Sequence, residues 1–291
     1  VSAFRPLDRQ VSYALQTNGM ALNEEWTHFL KENQFLVGLS VDGYRELHDH
    51  YRVDTKGEGT YGRVAKALAL LQKFEVETNL LCVVTGQCAK HPQKTYASMK
   101  KLGVRYLQFI PCLDPLEEQR GRAVYSLTPK LYGDFLCGLF DQWYRDWAEG
   151  HYTSVRLFDD YVHLAMGEPA STCAASGGCG SYFVVEADGG VYPCDFYVLD
   201  RWRMGDVHTD SLKQLANDET ASEFLRQGRL RPSRCASCRW VPLCNGGCRR
   251  DWTGGADDTE NYYCESFRRF FEYAADRIGE IAWQERRSRM R

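Results

Sequence analysis

Eight cysteines crowd into the second half of this chain of 291 residues. Four of them follow the spacing C-x2-C-x5-C-x3-C: Cys235, Cys238, Cys244 and Cys248. This spacing lets one short loop aim several thiolates at a single metal centre. The residues between the last two cysteines are Asn-Gly-Gly, and small residues let a backbone approach a bulky group closely. The pattern therefore predicts metal binding.

The chain holds twelve cysteines in all. Its first residues, VSAFRPLDRQ, lack the cationic start and the apolar stretch of a secretory signal, so nothing points to export. We expect a cytoplasmic protein whose thiols stay reduced and bind metal, because disulfides are rare in that compartment. Four-cysteine ligation serves zinc and iron–sulfur clusters equally well. Spacing alone therefore leaves both kinds of site open.

Composition limits the kinds of binding partner that we expect for this chain. A formal net charge of -3 offers no basic field for nucleic acid or an anionic membrane surface, and we expect neither partner. The longest apolar runs fall far short of the ~20 residues that span a bilayer. An apolar share of 44% can supply a core, and the length suits one large domain or two ordinary ones.

The first half alternates short β-branched runs with helical stretches. We predict strands at residues 11–16, 35–41, 77–84 and 104–110, and helices at 23–33, 60–74, 92–102, 129–149 and 155–166. This order implies a parallel sheet with right-handed crossovers, whose ligands gather at the carboxyl ends of the strands. The polar residues that follow these strands are Thr17, Asn18, Ser40, Asp42 and Cys112.

Beyond Gly167 the predicted elements shorten, and cysteine and glycine crowd together. We place a domain boundary near residue 168 and predict a hairpin from residues 182–185 and 190–192. A last amphipathic helix is expected at about 265–283, followed by a solvated basic tail. The predicted domains are residues 1–168, residues 169–275, and residues 276–291 for the helix end and tail.

Several segments resemble a known family. VEADGGVYPCD, CASCRWVPLCNGGC and YYCESF resemble SPASM, the auxiliary-cluster domain of radical SAM enzymes. QTNGMALNEEW, FLVGLSVDGYRELHDHYRV and RYLQFIPC resemble the middle barrel strands of the anaerobic sulfatase-maturating enzymes. The resemblance runs from about Tyr13 to Phe270 and favours iron–sulfur over zinc. It implies an α/β fold: a partial radical SAM β/α barrel, a small cysteine-rich SPASM domain and a C-terminal helix.

The resemblance also implies two interleaved ligand sets, each holding an auxiliary [4Fe-4S] cluster. One set is Cys173, Cys179, Cys194 and Cys248; the other is Cys235, Cys238, Cys244 and Cys264. Cys82 and Cys137 have no ligand-like spacing, and we predict that they are small buried side chains. Packing is also the preferred interpretation of Cys112.

A radical SAM enzyme needs a C-x3-C-x2-C loop that leaves one iron of a further [4Fe-4S] cluster open for S-adenosyl-L-methionine (SAM). Residues 1–291 contain no such loop. Cys244 and Cys248 have the spacing of its first two cysteines, but Asp251 stands where the third would be. The family's GGEP segment is also absent. We expect that the N-terminal part of the barrel, with the third cluster, is missing and that the fragment alone is inactive. A degenerate, non-catalytic homologue is the alternative.

By the same resemblance, Ser40 and Arg52 contact SAM, Leu113 touches its adenine side, and Asn18 is a weaker candidate. Thr17 and Asp42 are also compatible with ordinary turn chemistry. His48 and His50 are interpreted as solvated helix positions rather than a metal pair.

The implied reaction oxidises the β-carbon of a Cys or Ser in an unfolded sulfatase, within a Cys/Ser-x-Pro-x-Arg motif, to Cα-formylglycine. Asp195 directly follows Cys194 and matches the family's general base. We expect a monomer that receives electrons from a flavodoxin or ferredoxin. Two alternatives remain: a thioether-forming SPASM enzyme and a non-enzymatic electron-transfer module.

Overall fold

The structure is a computed structural model that describes residues 10–116, 118–254 and 259–290. The chain forms two compact units, Val1–Asp159 and Asp160–Arg291. The division by contacts thus falls before residue 168, where the change in composition occurs. The predicted domain limits rest on composition and stay a prediction.

The first unit is built on a five-stranded parallel sheet with the strand order β1-β2-β3-β4-β5. Its strands are β1 (Tyr13–Thr17), β2 (Phe35–Ser40), β3 (Thr78–Val84), β4 (Tyr106–Pro111) and β5 (Ser154–Val155). The inner strands carry buried apolar residues, among them Val37, Leu80 and Cys82, as expected for strands covered on both faces. The predicted α/β order with a parallel sheet is confirmed. The edge strand β5 was not predicted, because two residues carry no periodicity.

Helices connect these strands. They are α1 (Glu24–Glu32), α2 (Arg45–Tyr51), α3 (Tyr61–Lys73), α4 (Pro92–Lys100), α5 (Pro129–Ala148) and α6 (Arg156–Ala165). The Asn23 side chain accepts a hydrogen bond from Trp26 N at 2.8 Å and so caps α1 as predicted. The core face of α5 includes the fully buried Phe140 and Trp143. Each connection returns the chain to the same end of the sheet, which brings the carboxyl ends of β2, β3 and β4 together.

The second unit consists of short elements. Its strands are β6 (Val184–Val185), β7 (Gly190–Tyr192), β8 (Gly205–Asp206), β9 (Trp252–Thr253) and β10 (Glu260–Asn261). Its helices are α7 (Cys173–Ser176), α8 (Leu212–Ala216), α9 (Glu219–Gly228), α10 (Val241–Cys244) and α11 (Cys264–Arg289). The antiparallel pair β6-β7 forms the predicted hairpin. Three of these helices, α7, α8 and α10, were not predicted because four or five residues are too few to show a helical period. The helix α9 was also missed, although its ten residues are long enough to show one.

The long helix α11 anchors the second unit. It packs Phe270 and Phe271 against Tyr161, with ring centroids 5.6 and 4.9 Å apart. The helix continues past its predicted end at residue 283 to Arg289, whose side chain lies 2.6 Å from Glu168 Oε1, and the residues after 283 are mostly exposed, as predicted for a solvated basic end. This ion pair holds the last turns near the start of the unit. Residue 291 lies outside the described residues.

In the part of the chain that the structure describes, no helix combines the length and apolarity that a bilayer crossing requires.

Candidate functional site

An ion pair organises the carboxyl end of the sheet in the first unit. Arg52 Nε donates to Asp42 Oδ2 at 2.6 Å, and a second guanidinium nitrogen approaches Asp42 Oδ1 at 3.3 Å. Asp42 Oδ1 also accepts from Val83 N at 2.9 Å, so this carboxylate joins the ends of β2 and β3. Asp42 does more than close a turn: its side chain is almost fully buried and fixes Arg52, whose side chain is 28% exposed.

His48 supports the Asp42–Arg52 ion pair by holding the backbone of both residues. Its Nδ1 accepts from Asp42 N at 3.2 Å, its Nε2 lies 3.1 Å from Thr60 Oγ1, and that hydroxyl donates to Arg52 O at 2.9 Å. Burial lowers the pKa of His48, which favours the neutral ring with its proton on Nε2. The prediction that His48 is solvated is wrong, since it is fully buried. His50 is exposed as predicted.

The remaining strand-end candidates have different environments. Ser40 ends β2 and Leu113 follows β4, and both are half-buried. Burial, with the charges of Asp114 and Asp42, raises the pKa of the Cys112 thiol to about 11. Asn18 is exposed, and its side chain accepts from Met20 N at 3.0 Å as in an ordinary turn. Roles of these residues in binding SAM stay a prediction.

Four thiols of the second unit line one cavity of about 350 Å³: Cys235, Cys238, Cys244 and Cys264. Cys235 and Cys238 lie in and directly after one short 3-10 turn, Cys244 ends α10, and Cys264 is the first residue of α11. The chain reverses after Cys244 through three residues of positive φ, Asn245 (52°), Gly246 (87°) and Gly247 (69°), a conformation that glycine adopts without strain. Burial raises the pKa of the Cys244 thiol to about 12, and the other three thiols act in the same direction. The four side chains therefore share one site.

The other four cysteines form a second group. Burial raises the pKa of the Cys248 thiol to about 12, with Asp251, Cys173 and Cys194 adding to the rise. Burial likewise raises the pKa of the Cys179 thiol, and the same two cysteines contribute. Cys179 fits beside the end of α9 because residue 228 is glycine, where a Cβ would collide with its sulfur. Cys248 thus interacts with thiols distant in sequence, although Cys244 is its neighbour along the chain.

Asp195 stands at the edge of this group. Its exposed carboxylate Oδ1 lies 3.5 Å from Cys194 Sγ, and Tyr182 Oη lies 3.4 Å from the same sulfur. Burial, the hydrogen bond with Cys194 and the charge of Asp195 raise the pKa of Tyr182, so the phenol stays protonated and acts as a donor. Sequence reasoning missed Tyr182, because only the fold of the hairpin brings it to Cys194.

Both groups suit iron–sulfur clusters. Their donors are all cysteine, the ligand type that holds such clusters, and burial favours the neutral thiol in the absence of a cation. The cavity of about 350 Å³ is much larger than the ~30 Å³ that a water molecule occupies, so it has space for a larger group. Metal binding would remove the thiol protons and stabilise the second unit, because binding and folding are coupled in such sites. The buried Cys82 fits its predicted packing role, and Cys137 is half-buried on α5.

Comparisons with known proteins agree with this picture. Residues 177–239 match the SPASM family, an iron–sulfur cluster-binding domain. A cysteine-type anaerobic sulfatase-maturating enzyme from Clostridium perfringens is 45% identical over 271 residues, which cover 92% of this chain and 73% of that enzyme. A serine-type enzyme from Bacteroides thetaiotaomicron is 30% identical over 285 residues, covering 92% of this chain and 68% of that enzyme.

A solved structure extends the likeness to three dimensions. Native anSMEcpe with bound AdoMet and Cp18Cys peptide superimposes with a TM-score of 0.92 at 44% identity, over 95% of this chain and 77% of that one. The predicted fold and the resemblance stated from the sequence are both confirmed. By its sequence identity and its fold, this chain belongs to the family of anaerobic sulfatase-maturating enzymes.

Proposed function

We propose that this chain serves in the oxidation of a Cys or Ser residue of a sulfatase to Cα-formylglycine by SAM-derived radical chemistry. The observation that carries the proposal is the 45% identity across 92% of the chain to a cysteine-type enzyme. The lower identity of 30% to a serine-type enzyme supports Cys as the preferred target residue. The peptide bound in the anSMEcpe structure supports a polypeptide substrate, for which we propose a Cys/Ser-x-Pro-x-Arg segment of an unfolded sulfatase.

Two auxiliary [4Fe-4S] clusters are proposed for the second unit. One takes Cys173, Cys179, Cys194 and Cys248, and the other takes Cys235, Cys238, Cys244 and Cys264. The grouping of the thiols supports this division, because the cysteines that shift one another's pKa belong to the same set. A third [4Fe-4S] cluster, held by a C-x3-C-x2-C loop outside these 291 residues, would complete the enzyme. Together, the cofactors supply the radical and an acceptor for the second electron.

The first unit contributes the binding of SAM. Ser40, Leu113 and Arg52 are the proposed contacts, with Asn18 as a weaker one. Asp42 and His48 act as positioning residues. Asp42 binds the guanidinium of Arg52. His48 holds the backbone N–H of Asp42 and, through the Thr60 hydroxyl, the backbone carbonyl of Arg52. A side chain held in this way loses little freedom when it binds a charged ligand.

The second unit contributes the general base. The exposed carboxylate of Asp195 is free to receive the proton that leaves the thiol or hydroxyl of the target residue. Its position beside Cys194 supports the role, because it places the base next to a proposed cluster. A monomer in the cytoplasm, with flavodoxin or ferredoxin as the electron donor, completes the proposal.

A product assay tests the function. We expect an enzyme that joins these residues to a segment with the C-x3-C-x2-C loop to convert a Cys-x-Pro-x-Arg peptide to its formylglycine form and to release 5′-deoxyadenosine. Mass spectrometry of the peptide and chromatography of the nucleoside measure the two products. Residues 1–291 alone are the control and should give neither product, because the SAM-cleaving loop is absent from them. A thioether cross-link in the peptide would instead favour the alternative class of SPASM enzymes.

A further inference from the structure

Arg249 is held in a cage of three aromatic rings. Its guanidinium carbon lies 5.1 Å from the ring centroid of Tyr197, 5.0 Å from that of Trp202 and 4.8 Å from that of Phe224. The three rings are buried and pack edge to face on one another. Such contacts attract a cation strongly when water is excluded. The cage therefore fixes one positive charge at a defined position.

This charge lies beside the cysteines of one proposed cluster. Arg249 directly follows Cys248, while Cys179 and Cys194 pack against the same three rings. Three of the four cysteines of this set are thus neighbours of the cage or of Arg249 itself.

In the described part of the chain, the hydrogen bonds that leave Arg249 end on neutral oxygens. They reach Phe224 O at 3.3 Å and Gln227 Oε1. Glu223 is a carboxylate that interacts electrostatically with Arg249. It accepts two 2.7 Å hydrogen bonds from Arg226 and so is already paired. The charge of Arg249 is left largely uncompensated.

The second set of cysteines has a different neighbour. Arg234 lies near Cys264 but forms ion pairs with both Glu260 and Glu265. Arg234 is thus paired with two carboxylates, and Arg249 differs from it in this respect. Other charges lie beside both sets: Asp195 and Asp251 beside the first and Arg231 beside the second.

We propose that Arg249 raises the reduction potential of the cluster held by Cys173, Cys179, Cys194 and Cys248. Reduction adds one electron to the cluster and neither forms nor breaks a bond. The product is more negative by one charge, so a fixed, partly buried cation stabilises the reduced form. This inference rests on the ligand sets given under the proposed function.

The test uses residues 1–291 with anaerobically reconstituted clusters and a redox titration followed by electron paramagnetic resonance. We expect two potentials. In Arg249→Gln one of the two should fall, with the ratio of reduced to oxidised cluster about tenfold lower at a fixed potential, which is about 59 mV for one electron. Arg249→Lys keeps the charge and should retain most of the wild-type potential. Arg234→Gln is the matched control and should leave the potential that responds to Arg249→Gln unchanged.

A second variant keeps the proposal testable if Arg249→Gln loses a cluster. Gln227→Glu leaves the three rings in place and adds a negative charge beside the guanidinium, at the loss of the hydrogen bond from Gln227 to Glu223, so it should lower the same potential. Equal shifts in Arg249→Gln and Arg249→Lys, or unchanged potentials in both Arg249→Gln and Gln227→Glu, would overturn the proposal. Failure of the wild-type chain to bind iron would instead contradict the proposed function.

Discussion

Replacing Asp195 with Asn is expected to abolish most formylglycine formation while leaving radical generation intact. Asn keeps the size and much of the hydrogen bonding of Asp but accepts no proton, so the change isolates the base from any structural role. In an enzyme that carries the SAM-cleaving loop, product yield should fall by roughly 10²–10⁴-fold, the range for a lost general base. Release of 5′-deoxyadenosine should continue, because hydrogen abstraction does not require the base.

Asp200→Asn is a matched control for this experiment. Asp200 is also exposed and also begins a short 3-10 turn, but it does not follow a cysteine ligand. It should therefore retain normal product yield. If Asp195→Asn loses iron or keeps nearly full yield, Asp195 is not the base, and other carboxylates or tyrosines near the strand ends become candidates.

Removing Cys244 and Cys248, which are separated by only three residues, should have separate and additive effects on iron content. Each belongs to a different proposed set, so Cys244→Ala and Cys248→Ala should each lose about half of the iron and sulfide. The double variant should lose nearly all of both. Because metal binding contributes directly to folding, each variant should also make the second unit more sensitive to proteolysis.

Interleaving of the two sets is what this experiment decides. If the contiguous C-x2-C-x5-C-x3-C run held one cluster, both single variants and the double variant would lose the same cluster and the same amount of iron. Cys137→Ala serves as the control: this half-buried cysteine lies on α5, outside both sets, and its removal should leave the iron content unchanged.

Local pattern was enough to predict the sheet of the first unit. The strands ending at Ser40, Val84 and Pro111 each combine an apolar run with a following polar or turn segment, and the helices between them show a helical period. Elements without such a period escaped prediction, among them the two-residue strand β5. The end of α11 was misjudged because its last, basic turns are held by contacts to residues far away in sequence.

The candidate site divides in the same way. Cysteine spacing indicated metal binding, and the resemblance supplied the ligand sets and Asp195. Sequence reasoning could not assign roles to His48, Tyr182 and Arg249. Each role depends on a contact that only the folded chain makes: with the Asp42 backbone, the Cys194 sulfur and the Phe224 ring, respectively. The guanidinium of Arg249 meets Phe224, which is 25 residues away, and no local pattern encodes that approach.

Metal analysis of the anaerobically purified chain tests the central claim most directly. Two four-iron clusters predict about eight iron and eight sulfide per chain, together with the brown colour of iron–sulfur proteins. The measurement requires only residues 1–291, since both ligand sets lie within them. About two zinc per chain with no iron, as expected for two four-cysteine zinc sites, would contradict the account.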